Sequence, residues 1–212
     1  MPLIFMRHAQ SMANVDRVFR NTQEACNGLS ALGFEQADAA AAALMARLDR
    51  PVDRILASPL RRTQETAAPL ARLSGVQVDL DPDLRELDVG AWEGMGDAET
   101  WAEHDRVFHA WFVEDRGDVR AGGSENRDDG ARRLSAVLDR VMPAVQDGQT
   151  IILVSHVGLA LTGLPPRLTN IDYTFAYHHH VRNTEQVWMS TDAVSGLVAT
   201  RWGDHMLAAD TA

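Results

Sequence analysis

The sequence predicts an α/β fold: a three-layer α/β/α arrangement in which helices cover a mostly parallel central sheet. Strand-like and helix-like segments alternate from the first residues, and this alternation is typical of parallel sheets. Ile151–Val154 is an uninterrupted apolar run after Gly148, as expected for a central strand buried on both faces. The chain of 212 residues shows no internal repeat and no low-complexity linker. We therefore expect a single domain over residues 1–212.

In the first half of the chain, three strands and two helices follow one another. Leu3–Met6 is a short apolar strand, and Ser30 is suited to cap a helix that runs to about Leu48. Ile55–Ala57 predicts the second strand, and the Ser-Pro pair after it predicts the start of a helix over about Leu60–Leu73. Val76–Leu80 alternates in polarity, which indicates a third strand.

The second half repeats this alternation. A helix is predicted over Asp97–Val113, and the Gly-rich loop Gly117–Asn126 separates it from a longer helix over about Asp128–Val145. Two late strands are predicted at Val187–Ser190 and Leu197–Trp202. The loop is too short to divide the chain into independent domains.

The helix over 97–113 carries an apolar-aromatic stripe at helical spacing. Its members are Trp101, His104, Phe108, Trp111 and Phe112. Such a stripe usually packs against a core, and this interpretation is favoured. The stripe lies in the chain between the carboxylate Glu86 and His156. This position also suggests a lid, so we predict a helical lid and specificity segment over about 95–125.

Composition and charge exclude several kinds of protein. All 20 cationic side chains are Arg, so mechanisms that need a lysine, such as Schiff-base or P-loop chemistry, are excluded. A formal net charge of −10 argues against nucleic acid as a partner. A small anionic substrate is still compatible, because a few converging Arg side chains can dominate one pocket.

No membrane or export segment is predicted. The longest apolar stretch is far shorter than the roughly 18 residues of a membrane helix, and the apolar run before Arg7 is too short for a signal-peptide core. Cys26 is the single cysteine, which suits a reducing compartment. The expected location is cytoplasmic. The sequence leaves the oligomeric state open, a homo-oligomer included.

Three polar motifs follow predicted strands. They are Arg7–Ser11, Ser58–Ala67 and Val154–Gly158. The carboxyl ends of the strands in an open α/β sheet are where ligands bind, so two His and at least two Arg should share one rim. The segments Leu84–Leu87 and Gly90–Gly94 add a carboxylate to the loop after the third strand.

These residue types suggest phosphoryl transfer through a covalent histidine. Neutral imidazole is a competent nucleophile near pH 7, whereas a serine hydroxyl needs a separate base. Planar guanidinium groups bind the oxygens of a phosphoryl group in pairs. A nearby carboxylic acid can protonate the departing alkoxide.

The same motifs resemble those of the histidine phosphatase superfamily, also called the phosphoglycerate-mutase-like family, over nearly the whole chain. Several blocks occur in family order and at family spacing. They are Arg7-His8 with Asn14, Asn27–Gly33, Ser58–Thr63, Leu84–Glu86 with Trp92–Gly94, Ser155-His156, and His205–Leu207.

The resemblance implies a role for each matching residue. His8 would accept the phosphoryl group, and Glu86 would donate a proton to the leaving group. The catalytic residues are then His8, Glu86 and His156, and the phosphate-binding residues are Arg7, Arg62, Asn14 and His156. Members of the family need no metal, so no cofactor is expected.

The expected function is a metal-independent phosphomonoesterase that acts on a small phosphorylated metabolite. The Gly-Trp pair and long basic insert of the mutase branch are not visible, which favours a phosphatase over a phosphoglycerate-type mutase. A member that binds a phosphorylated ligand without turnover is the third alternative. Ala9 and Val157 replace family glycines, and Val157 should crowd the phosphate rim. Asn14 could equally be a turn residue.

The run His178-His179-His180 raises the question of a metal site. On a strand only His178 and His180 would share a face, and no carboxylate is patterned beside them. A non-metal role is favoured, with one of the three lining the pocket.

Overall fold

A computed structural model describes residues 3–22, 28–192 and 196–207. Cys26, which carried the prediction about the redox compartment, and Asn27, the first residue of one family block, lie outside the described residues.

The described residues form a seven-stranded sheet with the order β3-β2-β4-β1-β5-β6-β7. The strands are β1 Leu3–Arg7, β2 Arg54–Ala57, β3 Val78–Leu80, β4 Ile151–Ser155, β5 Gln186–Asp192, β6 Gly196–Trp202 and β7 His205–Met206. The first four pair in parallel, and the last three add an antiparallel edge beside β1. The prediction of an α/β fold with a mostly parallel sheet is confirmed, since only β5 and β7 run against the others.

Helices lie on both faces of this sheet. They are α1 Met12–Asp16, α2 Ala31–Arg47, α3 Arg61–Ser74, α4 Ala98–Phe112, α5 Arg127–Gln146, α6 Val157–Gly163 and α7 Tyr173–His178. Side chains of β1 alternate between the faces: Leu3 and Phe5 pack with α5 and α6, whereas Ile4 and Met6 pack with α2 and α3. The three predicted layers follow from this alternation in the buried strands.

Local capping explains where the longer helices begin and end. The Ser30 hydroxyl accepts a hydrogen bond from the Gly33 amide at 3.0 Å at the start of α2. Asp97 and Asn126 cap α4 and α5 in the same way. Gly75 ends α3 with a φ of 76°, a backbone conformation that favours glycine.

Three short helices were not predicted, and one of them corrects an expectation. The histidine run was considered as part of a strand, but α7 ends at His178, so the argument about a shared strand face is wrong. The Asp172 carboxylate accepts from the Phe175 amide at 2.7 Å and starts a helix there. A six-residue helix leaves too little periodicity in the sequence to be recognised.

The predicted third strand is also shorter than expected. It begins at Val78 rather than at Val76. The hydroxyl of Ser74 accepts a hydrogen bond from the Val76 amide at 3.2 Å, which turns the chain after α3.

α4 contributes both to the core and to a partly buried aromatic face. Trp111 and Phe112 are buried in the main core, whereas Trp101 and Phe108 are only partly buried.

In the part of the chain that the structure describes, no helix is long and apolar enough to cross a membrane.

Candidate active site

The sheet topology brings the two motif histidines together. β1 and β4 are parallel neighbours with Arg7 paired to Ser155, so His8 and His156 follow directly at the same rim. Their rings lie 5.1 Å apart, centroid to centroid, at an angle of 61°. Residues almost 150 positions apart in sequence thus form one pair because two strands share a register.

The tautomer of His8 follows from its hydrogen bonds. Its Nδ1 lies 2.7 Å from the carbonyl oxygen of Ala9, which can only accept, so Nδ1 carries the proton. Nε2 is then the unprotonated nitrogen, and it accepts a hydrogen bond from Nε of Arg62 at 3.2 Å. Nε2 is the nitrogen with nucleophilic capacity, and it points toward a guanidinium group.

Arg62 lies between the two histidines. Its Nη2 is 3.1 Å from Nδ1 of His156, and its Nη1 donates to the Arg20 carbonyl at 2.9 Å. Arg62 is 3% exposed, whereas the side chain of Arg61 is 61% exposed and pairs with Glu65. Of the two adjacent arginines, Arg62 faces the pocket.

His156 has a fixed orientation as well. Arg62 can only donate, so Nδ1 of His156 accepts from it and Nε2 carries the proton. That Nε2–H donates to the hydroxyl of Ser58 at 2.9 Å. Ser58 is fully buried directly after β2. Three neighbouring strands therefore contribute to one hydrogen-bonded chain from Ser58 through His156 and Arg62 to His8.

Arg7 adds a second buried guanidinium group. Its Nη1 donates to the Val181 carbonyl at 2.8 Å, which orients the side chain. Its Nε is buried and has no hydrogen-bond partner among the residues that the structure describes. A buried donor of this kind is costly unless a ligand accepts from it, so it is suited to an anion.

Burial sets the charges of this cluster. The pKa values of His8 and His156 both lie well below the ordinary 6.5, mainly because of burial and then because of the Arg62 charge. Burial also lowers the pKa of Arg62 to about 10, against the opposing effect of Glu86 and Glu93. At neutral pH the histidines are uncharged and Arg62 is cationic, which suits a neutral nucleophile beside a bound anion.

Glu86 lies at the pocket, with both carboxylate oxygens bound by backbone amides. Oε1 accepts from Leu87 at 2.9 Å and from Leu159 at 3.0 Å, and Oε2 accepts from Gly158 at 3.0 Å. A Cβ atom on Gly158 would lie 2.5 Å from Oε1, so glycine permits this close approach. In this arrangement Glu86 orients the start of α6 and acts as an acceptor.

Asn14 lines the pocket mainly as part of a helix cap. Its Oδ1 accepts from the Ser11 amide at 3.1 Å and closes the capping box of α1. Asn183 donates to the His8 carbonyl at 2.9 Å and lies within 3.4 Å of the same Oδ1. The Nδ2 amide of Asn14 is the group that could contact a phosphate.

A cavity of about 300 Å³ extends from these groups toward α4. Arg7, His8, Arg62 and Glu86 line one part of it, and the aromatic side chains of α4 line another. Val157 also lines it, at the position where the sequence predicted crowding. Of the three consecutive histidines, His180 is the one at this cavity.

Among the described residues, no group of three or more His, Cys, Asp or Glu side chains could hold a metal ion. His156, predicted at this site, does not lie in the cavity lining but behind Arg62, fully buried.

Sequence reasoning did not assign roles to several residues at the site. Ser58 and Asn183 make the contacts described above. Thr66 accepts from the Ala9 amide at 3.0 Å and donates to the Arg62 carbonyl, which ties β1 to α3. The only signal for Ser58 and Thr66 is their place in the Ser58–Ala67 motif, and the only signal for Asn183 is the family resemblance, which places its neighbourhood near the phosphate.

This chain is similar to known phosphatases. A glucosyl-3-phosphoglycerate phosphatase of Mycolicibacterium vanbaalenii is 35% identical over 177 residues, which cover 77% of this chain and 75% of that protein. A solved mycobacterial glucosyl-3-phosphoglycerate phosphatase in complex with VO3 superposes with a TM-score of 0.79 at 28% identity, covering 96% of this chain and 99% of that one.

A bifunctional protein of Mycobacterium tuberculosis is 36% identical over 155 residues, or 73% of this chain. The match covers only 41% of that longer relative. The family model of the histidine phosphatase superfamily (branch 1) matches residues 3–205. The chain belongs to the histidine phosphatase superfamily.

Proposed function

We propose that this chain is a metal-independent phosphomonoesterase that acts on a small phosphorylated metabolite through a phosphohistidine intermediate. The observation that carries the proposal is the neutral His8, whose unprotonated Nε2 faces the buried guanidinium of Arg62 at 3.2 Å. A nucleophile and the positive charge that a phosphoryl group requires are therefore adjacent.

In the first step, Nε2 of His8 attacks phosphorus and forms a P–N bond. The bond between phosphorus and the alcohol oxygen breaks, and its electron pair goes to that oxygen. Arg7 and Arg62 bind the equatorial oxygens, on which charge is spread in the transition state. When Arg62 donates to a phosphate oxygen, Nε2 of His8 is released for attack.

In the second step, water attacks the phosphoryl group and the P–N bond breaks. The electron pair returns to Nε2, and inorganic phosphate is formed. The water proton goes to the group that donated a proton to the alcohol in the first step. His156, oriented by Ser58, supports Arg62 through the Nδ1 contact at 3.1 Å.

Glu86 is the proposed proton donor because it is the carboxyl group beside Arg7 and Arg62 at the cavity. To act as the donor, Glu86 must carry a proton when the alcohol departs. Its present contacts with the Gly158 and Leu159 amides would then weaken, since a protonated oxygen accepts less well.

The experiment is hydrolysis of p-nitrophenyl phosphate in the presence of EDTA. Turnover that is unaffected by EDTA and inhibited by vanadate supports the proposal; vanadate is chosen because a similar phosphatase was solved with VO3. Turnover that disappears with EDTA contradicts the metal-independent mechanism.

A mutase and a binding protein without turnover can each be distinguished from a phosphatase. A phosphoglycerate-type mutase should transfer phosphate between positions of its substrate and should need a bisphosphate to prime it. A member that only binds a phosphorylated ligand should show saturable binding and no release of phosphate. Arg7, His8, Arg62 and Glu86 all line one cavity, which favours turnover.

A further inference from the structure

The cavity has a polar end and an aromatic wall. The polar end is formed by the groups already assigned to the phosphate. The remaining wall comes largely from Phe19, Trp101, Phe108 and Trp111, together with aliphatic side chains. A phosphate bound at the polar end would direct its alcohol portion along this wall.

The aromatic side chains of the wall form a connected set. The ring centroids of Phe19 and Trp101 lie 4.3 Å apart, and those of His104 and Phe108 lie 4.0 Å apart. Phe108 also packs against Trp111 at 5.1 Å. Since Trp101, His104, Phe108 and Trp111 are spaced by three and four residues, α4 presents them on one face.

This wall brings little positive charge to the alcohol portion. His104 lies within the aromatic set, and its Nδ1 contacts the Asp105 carboxylate at 3.0 Å. Burial lowers the pKa of His104 and also that of His180, so both are neutral at pH 7. Arg17 and Arg20 are the lining cations besides Arg7 and Arg62. Arg17 is exposed, and its guanidinium lies 5.8 Å from the centre of the Trp101 ring. The Arg20 carbonyl accepts from Arg62, which places the Arg20 backbone at the phosphate end.

We infer that the substrate of this site is a phosphate ester of an apolar alcohol that carries a flat ring, with the ring against Phe108 and Trp101. This inference rests on the proposed phosphatase function and names its substrate class. Binding of a flat apolar group is stabilised by the burial of its surface and by offset or edge-to-face contacts with aromatic rings. A strongly polar or carboxylated alcohol placed against the Phe108 and Trp101 rings would lose hydration without gaining hydrogen-bond partners from those rings.

The test compares alkyl phosphates, so that the leaving groups have similar basicity. The probes are 2-phenylethyl, n-hexyl and n-propyl phosphate, together with phosphoserine. The phosphate contacts are common to all, so differences in kcat/KM report the alcohol portion. We expect kcat/KM for the phenylethyl ester to exceed that for the propyl ester by at least about tenfold and that for the hexyl ester by several-fold.

Two variants of Phe108 locate the preference. Phe108→Ala should reduce the ratio of phenylethyl to propyl kcat/KM to within about threefold of unity. Phe108→Leu keeps apolar volume without a ring and should reduce the ratio in part, which separates recognition from loss of packing. Phe34→Ala, at a side chain that is 48% exposed on α2, is the matched control and should leave the ratio unchanged.

Each other outcome contradicts the inference in a distinct way. Equal kcat/KM for all esters, with good turnover of p-nitrophenyl phosphate, overturns the substrate class and leaves the phosphatase function intact. A higher kcat/KM for the hexyl ester than for the phenylethyl ester contradicts the inference that the alcohol carries a flat ring. A preference for phosphoserine that Arg17→Gln removes would assign the rim to a carboxylate instead. A protein that hydrolyses neither these esters nor p-nitrophenyl phosphate contradicts the phosphatase function itself.

Discussion

Nε of Arg62 donates a hydrogen bond to Nε2 of His8 at 3.2 Å, so the nitrogen with nucleophilic capacity and the main cation of the pocket are in direct contact. Both residues are 3% exposed. The contact is possible only because His8 is neutral and its Nδ1 proton is bound to the Ala9 carbonyl. The contact therefore requires one tautomer, one charge state and one orientation of His8.

Replacing His8 by Ala should abolish phosphatase turnover and leave the fold intact, because no other nucleophile lies in its place. The assay is release of phosphate from p-nitrophenyl phosphate, with circular dichroism to check folding. Acid-labile, base-stable label trapped from a slow substrate should disappear in the variant. The control is His109→Ala, whose side chain is 53% exposed on α4. Full activity in His8→Ala would contradict the mechanism.

Arg62→Lys should lower kcat by about 100-fold, although the charge is kept. A lysine supplies a point charge but cannot contact His8, His156 and a phosphate in one plane. Arg61→Lys is the adjacent control: that side chain is 61% exposed and pairs with Glu65, so activity should stay within about twofold. Steady-state kinetics on both variants decide the point. A larger loss in Arg61→Lys would mean that the wrong arginine has been assigned.

Glu86→Gln should affect substrates according to their leaving groups. An alkyl phosphate needs its alkoxide protonated, whereas p-nitrophenolate leaves without help, so the loss should be much larger on the alkyl ester. The measurement is kcat on n-propyl and p-nitrophenyl phosphate. Since Glu86 also accepts from the Gly158 and Leu159 amides, urea unfolding should accompany the kinetics. Equal losses of kcat on both esters would show that Glu86 orients the start of α6 and is not the proton donor.

Stability should depend on pH through the two buried histidines. The pKa values of His8 and His156 are lowered in the folded state, whereas histidines of the unfolded chain titrate near 6.5. Below about pH 6.5 the unfolded chain binds more protons than the folded chain, so the free energy of unfolding falls as the pH drops. Above about pH 6.5 both histidines are neutral in both states, so they cause no loss of stability there. Urea unfolding at pH 8 and pH 5.5 measures the difference.

The same experiment on variants attributes the effect. His8→Asn removes one buried titrating group and should reduce the loss of stability between the two pH values. His109→Asn, at an exposed histidine, should not. An unchanged pH dependence in His8→Asn would show that other groups cause it.

Much of the fold could be predicted because the responsible signals are local. The apolar runs of β1 and β4 are fully or almost fully buried, and such runs are typical of central strands. The longer helices carry their caps in the sequence, as Ser30 and Asp97 illustrate. The helix α7 was missed because six residues show no clear period, and its Asp172 cap is visible only once the helix is known.

Periodicity and motif positions were enough to predict the fold class, the strands that carry the motifs, and the placement of His8, Arg62 and His156 at one rim. This was possible because strand-end positions follow from periodicity, and parallel strands end on the same side.

The interactions among these groups became clear from the packed structure. The tautomer of each histidine depends on partners that are distant in sequence, such as Ser58 for His156. The charge of His8 depends on burial, and the acceptor contacts of Glu86 depend on the place of α6. Burial and hydrogen-bond partners are properties of the packed chain, and no local pattern of residues encodes them.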